Sequence, residues 1–196
     1  MADITSDGTP FQRSSGMSSV KSPPPADLAE ASPQSDIVSC VELFYFAYRD
    51  FTCDPDTILE QYGFGRAHHR VLHFVHRNPG LNVAQLLEIL KITKQSLARV
   101  LKQLVDESFI IQRAGDADRR ERRLYVSAKG ARLTDKLTQI QVKRLENALL
   151  KAGPGADRLT RQFLFAMIAD KDRPHVEALL KIGQVPVVRN TPGSSE

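Results

Sequence analysis

Basic side chains are concentrated in one stretch of this chain, residues 91–132. The stretch contains eleven lysine and arginine residues against five acidic ones, a net charge of +6, whereas the whole chain of 196 residues carries +4. Ammonium and guanidinium groups attract phosphate, so this distribution points to a polyanionic partner such as nucleic acid. At this point an ordinary solvated surface with a local excess of arginine remains the alternative.

A helix predicted over residues 93–107 could present part of this charge to DNA bases. Its buried side is formed by Leu97, Val100, Leu101 and Leu104, and its opposite side by Lys94, Gln95, Ser96, Ala98, Arg99 and Lys102. Thr93, a candidate N-cap of this helix, is also expected to bind DNA. Gln95 and Arg99 are one turn apart, so both can reach one patch of a major groove. Glutamine can pair with an adenine edge and arginine with a guanine edge, while Lys94 and Lys102 are suited to phosphate. A merely solvated helix face is the alternative.

The spacing of three histidines is compatible with metal binding. His69, His73 and His76 lie at positions i, i+4 and i+7 of a helix predicted over residues 66–77, and three imidazoles on one helical face can bind zinc. No cysteine or carboxylate lies close to them in sequence, and the same helix carries three arginines. We therefore predict no metal ligand and no cofactor.

Several classes of protein are disfavoured by what the sequence lacks. No segment approaches the roughly 18 apolar residues that span a bilayer, and the N-terminus lacks the basic and apolar regions of a secretion signal. Cys40 and Cys53 are too few for a disulfide framework. We expect a cytoplasmic protein with no membrane partner. Because no G-x-S-x-G, H-E-x-x-H, P-loop or Rossmann fingerprint occurs, we do not expect an enzyme.

The elements that must position these residues are mostly helices. Apolar periodicity predicts helices over residues 37–51, 66–77, 83–90, 93–107, 127–152, 157–170 and 175–181. Asp54-Pro55 is expected to interrupt the chain after the first of them. A change from helical to extended periodicity predicts two strands, 109–113 and 122–126, around a hairpin tip at 114–121. The predicted fold class is mainly α with a small β-hairpin, and a helix-turn-helix followed by a basic hairpin is a winged helix.

The predicted elements divide the chain into one domain and two tails. Residues 1–36, which are acidic and rich in serine and proline, should be disordered, and residues 184–196 should be flexible. Residues 37–183 should form the domain, with a DNA-binding lobe over 66–126 and dimerisation helices over 37–51 and 127–181. These flanking helices carry more apolar surface than a winged helix can cover, so we expect burial against a second copy of the chain.

The hairpin and the following helix carry a specific motif. Residues 118–130, DRRERRLYVSAKG, resemble the D-x-R…L-x-L-T-x-x-G signature of the MarR family of bacterial transcription regulators. Residues 85–111 are similar to the helix-turn-helix of that family, and residues 63–76 resemble its PetP-like branch. Two positions differ from the family. Ser108 stands where a glycine usually ends the recognition helix in the left-handed conformation, and Ser127 replaces a threonine that, like serine, can cap a helix.

The resemblance implies a homodimeric repressor that binds a pseudo-palindromic operator in double-stranded DNA. It also implies that Asp118 orients Arg120 toward the minor groove, because a charged partner can pre-align a flexible arginine. Arg119, Arg122 and Arg123 are expected to add phosphate contacts. The alternative for this hairpin is a charge cluster that only improves solubility.

A repressor of this kind is expected to respond to a small-molecule effector. The effector would bind between the dimerisation helices and the DNA-binding lobe and change the spacing of two recognition helices. The candidate lining residues are Tyr45, Tyr48, His73 and Phe74. Two alternatives stay open: a redox- or metal-sensing variant of this architecture, and a winged helix that docks proteins and needs no basic recognition face.

Overall fold

The computed structural model describes residues 33–115 and 120–182, which form seven helices and three strands. The helices are α1 (Pro33–Glu60), α2 (Arg66–Arg77), α3 (Val83–Leu90), α4 (Lys94–Asp106), α5 (Ala128–Ala152), α6 (Ala156–Ala166) and α7 (Arg173–Ile182). The strands are β1 (Leu81–Asn82), β2 (Ile110–Ala114) and β3 (Arg122–Val126). The chain divides into two compact units, one ending at Leu43 within α1 and one beginning at Phe44. The second unit contains every element after α1.

The first helix is longer than its apolar pattern predicts. α1 begins at Pro33, inside the segment predicted to be disordered, and continues to Glu60 with Pro55 in its interior; residues 1–32 lie outside the described residues. The prediction that Asp54-Pro55 interrupts the chain is therefore wrong. Proline inside a helix removes one backbone hydrogen bond and costs about 3 kcal/mol. Pro55 and Leu59 are both buried, and this burial offsets the cost.

Residues of types that favour helix N-caps precede both helices of the helix-turn-helix. Asn82 caps α3: its Oδ1 accepts a hydrogen bond from the Gln85 N–H at 2.9 Å, and Gln85 Oε1 accepts one from the Asn82 N–H at 3.0 Å. Thr93 caps α4, because its Oγ1 accepts a hydrogen bond from the Ser96 N–H at 3.2 Å. The predicted fold class, mainly α with a small β-hairpin and a winged helix-turn-helix, is confirmed.

The small sheet is antiparallel with β3 in its centre, in the order β1-β3-β2. The hairpin pairs Ile110 with Val126, so the two predicted strands are confirmed, with β2 shifted by one residue. β1 also pairs with β3 and was not predicted. A strand of two residues is too short to show an alternating pattern.

A single apolar core fixes the orientation of α4. Its members come from α1 through α5 and from both hairpin strands, and the side chains with no exposed surface are Leu59, Val71, Leu72, Val75, Leu86, Leu97, Leu104, Leu124 and Leu137. On α4 the buried residues are the four that the sequence predicts, Leu97, Val100, Leu101 and Leu104. Since this side of α4 packs inward, the opposite side must face solvent.

The junction between α4, β2 and α5 is closely packed. Ser108 has φ 62°, the left-handed conformation expected for the family glycine, which costs an L-residue about 1–2 kcal/mol. Ser127 Oγ donates a hydrogen bond to the Ser108 carbonyl at 2.7 Å and accepts one from the Gly130 N–H at 3.0 Å, so Ser127 caps α5 as predicted. A Cβ on Gly130 would lie 2.2 Å from the carbonyl oxygen of Phe109. Only glycine fits there.

The C-terminal helices leave much apolar surface uncovered. α5 has the predicted length, whereas α6 ends at Ala166, four residues before its predicted end, and α7 begins two residues early. Exposed apolar side chains on and beside α6 are Leu159, Phe163, Leu164 and Met167. No helix among the described residues is long and apolar enough to cross a membrane.

Candidate nucleic-acid interface

The solvent side of α4 carries the polar residues that the sequence assigns to DNA. Thr93, Lys94, Gln95, Ser96, Arg99 and Lys102 are all exposed. The structure thus brings these six side chains onto one surface, which we call the recognition face. Thr93 has a second role there, because its hydroxyl is engaged in capping the helix.

Some side chains of the recognition face already have a partner within the protein, and others do not. Within the described part of the chain, the side chains of Gln95 and Arg99 form no hydrogen bond or ion pair, so their polar groups can serve an external partner. Lys102 Nζ instead lies 2.5 Å from Asp106 Oδ2. Both members of that pair are highly exposed, and an exposed i,i+4 pair contributes only about 0.3–0.5 kcal/mol. Phosphate could therefore replace Asp106 as the partner of Lys102.

The hairpin carries further arginines. Arg120 and Arg122 are exposed, whereas Arg123 is half-buried and its Nη2 lies 3.3 Å from Glu121 Oε2. Asp118 and Arg119 lie outside the described residues, so the proposed orientation of Arg120 by Asp118 remains a prediction. The Glu121 carboxylate thus engages Arg123, one of the arginines predicted to bind phosphate.

Glu121 has a structural role that the sequence did not reveal. Its Oε1 accepts a hydrogen bond from Asn82 Nδ2 at 2.6 Å, and its main-chain oxygen accepts one from the Gly115 N–H at 2.9 Å. One residue thus connects the tip of the hairpin to Asn82, the N-cap residue of α3. The partners are 39 residues apart, and no local pattern could have predicted their contact.

The four candidate effector residues have different surroundings in the structure. Phe74 borders a cavity of about 300 Å³ between α3 and α7, and Tyr45, Tyr48 and His73 are not among its lining residues. Tyr45 and Tyr48 are exposed on α1, where Arg66 lies 5.5 Å from the ring centre of Tyr48. His73 is half-buried, and its ring packs edge-on against Phe74 at 5.3 Å.

The α2 histidines have separate surroundings. His76 Nε2 lies 3.1 Å from Asp135 Oδ1 on α5, and burial lowers the pKa of His69. Burial, followed by repulsion from His69, Arg77 and His76, lowers the pKa of His73 to about 4. Among residues 33–115 and 120–182, no three histidine, cysteine or acidic side chains converge in a way that could hold a metal ion. Cys40 and Cys53 are both free and exposed.

Acid should destabilise the fold through His73. The folded state keeps this ring neutral down to about pH 4, whereas an unfolded chain protonates it near pH 6.5. Its contribution to stability is therefore complete above pH 6.5 and declines as the pH falls toward 4, with a loss of about 2 kcal/mol between pH 7.5 and 5. Urea unfolding at a fixed protein concentration should show this slope. The non-titrating variant His73→Gln should reduce it, and equal slopes in the two proteins would contradict the assignment.

Comparison with known proteins identifies the family of this chain. It is 47% identical over 139 residues to the HTH-type transcriptional regulator PetP of Rhodobacter capsulatus, in an alignment covering 71% of this chain and 84% of PetP. The MarR family profile matches residues 62–121, which contain α2, α3, α4 and β2. This chain belongs to the MarR family. The resemblance to the MarR family is thereby confirmed.

Solved MarR-type structures share the fold at low sequence identity. The MarR family regulator SP03579 superposes with a TM-score of 0.56 at 18% identity, covering 76% of this chain and 95% of that protein. The regulator SlyA gives 0.55 at 19% identity, covering 75% and 99%, and MarR itself gives 0.52 at 20% identity, covering 79% and 96%. The winged helix and its flanking helices are therefore the architecture of the family.

Proposed function

We propose that this MarR-family regulator is a homodimeric, cytoplasmic repressor that binds a pseudo-palindromic operator in double-stranded DNA. The observation that carries the proposal is the recognition face of α4, where Gln95 and Arg99 are exposed and without partners among the described residues. Recognition helices place such side chains in the major groove, where glutamine and arginine can each form two hydrogen bonds to a base. Lys94, Lys102 and the hairpin arginines would hold the phosphate backbone.

The exposed apolar surface supports dimerisation. Phe44, Tyr45, Phe46 and Tyr48 on α1 are exposed, as are Leu159, Phe163, Leu164 and Met167 on and beside α6. Soluble monomers rarely expose large apolar patches, and a two-fold symmetric contact would cover these side chains. The two recognition faces would then meet two half-sites about one helical turn apart.

An effector would act on this dimer by changing the separation of its two recognition helices. The cavity beside Phe74 supports such a site, because it is bounded by α3 of the helix-turn-helix and by α7. Tyr45, Tyr48 and His73 would contribute only if the second copy completes a site around them. A ligand shifts the equilibrium toward the conformation that it binds more tightly.

Selection of bound duplexes from a random DNA pool tests the proposal. The full-length chain should enrich a pseudo-palindrome with two half-sites, and its binding should weaken steeply with salt because phosphate contacts release counterions. Light scattering of the free protein should give twice the chain mass of 21.9 kDa. No enriched sequence and no salt dependence would contradict DNA binding and favour a protein-docking winged helix.

Two neighbouring substitutions distinguish the effect of losing the dimer from the effect of adding a negative charge. Phe163→Glu places a carboxylate in the exposed apolar surface of α6 and should yield monomers that bind the selected palindrome at least tenfold more weakly. Gln162→Glu adds the same charge at an already polar exposed position and should keep the dimer. A folded wild-type monomer at micromolar concentration would contradict the two-half-site arrangement.

A further inference from the structure

The imidazole of His68 connects the start of α2 to the recognition helix. Its Nδ1 accepts a hydrogen bond from the Gly65 N–H at 3.1 Å, and its Nε2 lies 2.9 Å from Gln103 Oε1 on α4. Because Nδ1 is the acceptor, the neutral ring carries its proton on Nε2 and donates it to Gln103. Gly65, the N-cap of α2, has no side chain, and the bond from its N–H to His68 supplies the N3 half of a capping box.

Aromatic packing holds the His68 ring in this orientation. The ring stacks on Phe64 with a centre-to-centre distance of 4.7 Å and an interplanar angle of 7°. Phe64 is buried and packs edge-on against Phe109 at 5.0 Å, and Phe109 is the residue that leads from α4 into β2. The ring is thus anchored to the core on one side and to α4 on the other.

Gln103 also contacts the residue that follows α4 and the loop that precedes α2. Its Nε2 donates a hydrogen bond to Glu107 Oε1 at 3.0 Å and approaches the Gly63 carbonyl oxygen at 3.5 Å. Gln103 lies one turn after Arg99 on the same helix. A rotation or slide of α4 that displaced Arg99 from a base would therefore also break the bond to His68.

We propose that His68 is a positioning residue for DNA recognition, which acts through Gln103 to fix the rotation and axial position of α4. The inference rests on the proposed DNA-binding function and adds a residue outside the recognition face. Hydrogen bonds to base edges require placement within about 0.5 Å, whereas attraction to phosphate tolerates larger displacements. Loss of the His68–Gln103 bond should therefore reduce sequence discrimination and leave non-specific binding intact.

His68→Phe tests this role, because phenylalanine keeps the ring that stacks on Phe64 and removes both hydrogen bonds. Affinity for the selected palindrome should fall about three- to tenfold, while affinity for a scrambled duplex and the salt dependence stay unchanged. The matched control is His69→Phe at the next position of α2, which lacks the bond to Gln103 and should leave the ratio of specific to non-specific affinity unchanged. Partial unfolding would lower both affinities together and preserve that ratio.

Removing the same bond from α4 provides the second measurement. Gln103→Met should reduce the ratio by a similar factor, and the double variant His68→Phe/Gln103→Met should lose no more than either single variant. If His68→Phe does not fold, the affinity ratio of Gln103→Met decides whether the His68–Gln103 bond positions α4. An unchanged ratio in Gln103→Met or additive losses would overturn the positioning role, whereas a wild-type protein without sequence preference would overturn the proposed function itself.

Discussion

Replacing Gly130 by alanine should lower the free energy of unfolding by about 3 kcal/mol or more. The new Cβ would lie 2.2 Å from the carbonyl oxygen of Phe109 and 3.1 Å from its carbonyl carbon. Both are backbone atoms of the α4–β2 junction, so relief requires α5 to move away from the hairpin. Overpacking usually costs about 1–3 kcal/mol, and contacts with backbone lie at the upper end because no side chain can rotate aside. Urea unfolding monitored by circular dichroism measures the loss.

Gly65→Ala is the matched control for this substitution. Apart from Gly65 and its two chain neighbours, no heavy atom of the described residues lies within 4 Å of a Cβ at this position, and the φ of −128° is one that any residue can adopt. Its cost should be limited to the poorer N-cap propensity of alanine, about 1 kcal/mol. Equal losses at the two positions would show that the close approach of α5 to Phe109 does not limit stability. The signature glycine of the family then would have another explanation.

Arg99→Ala should weaken binding to the selected palindrome by about 1–3 kcal/mol for each half-site and relax the preference at one base pair per half-site. Arg99 is exposed on the recognition face, one turn after Gln95, and has no partner among the described residues. Its removal therefore exposes no buried charge and should leave the fold intact. Mobility shifts on the selected duplex and on its single-base variants measure both effects.

Arg120→Ala is the comparison that separates base recognition from phosphate binding. Arg120 is exposed beside the hairpin tip, and its loss should weaken binding to selected and scrambled duplexes alike. The salt slope should flatten by about one unit for each lost phosphate contact. If Arg99→Ala behaved in the same way, the recognition face would be a phosphate-binding surface, and base recognition would have to come from other residues.

Local sequence signals predicted the elements of the winged helix well. Asn82, Thr93 and Ser127 each cap a helix by accepting the N–H of the residue three positions later. Such a hydrogen bond is local in the chain, so the sequence alone can predict it. The prediction from Pro55 is wrong because it considered only the local effect of proline. Its local effect is to break a helix, but burial within the fold decides whether the helix continues.

The sequence by itself determined the fold class, the family and the polar side of α4. These depend on the 3.6-residue period, on capping residues and on a signature within residues 118–130, all of which are local in the chain. The tertiary structure alone decided which long-range contacts join the elements of the winged helix. The contacts of Glu121 with Asn82 and of His68 with Gln103 join residues 39 and 35 positions apart. Such pairs form only when separate elements pack on a common core, and no periodic pattern encodes them.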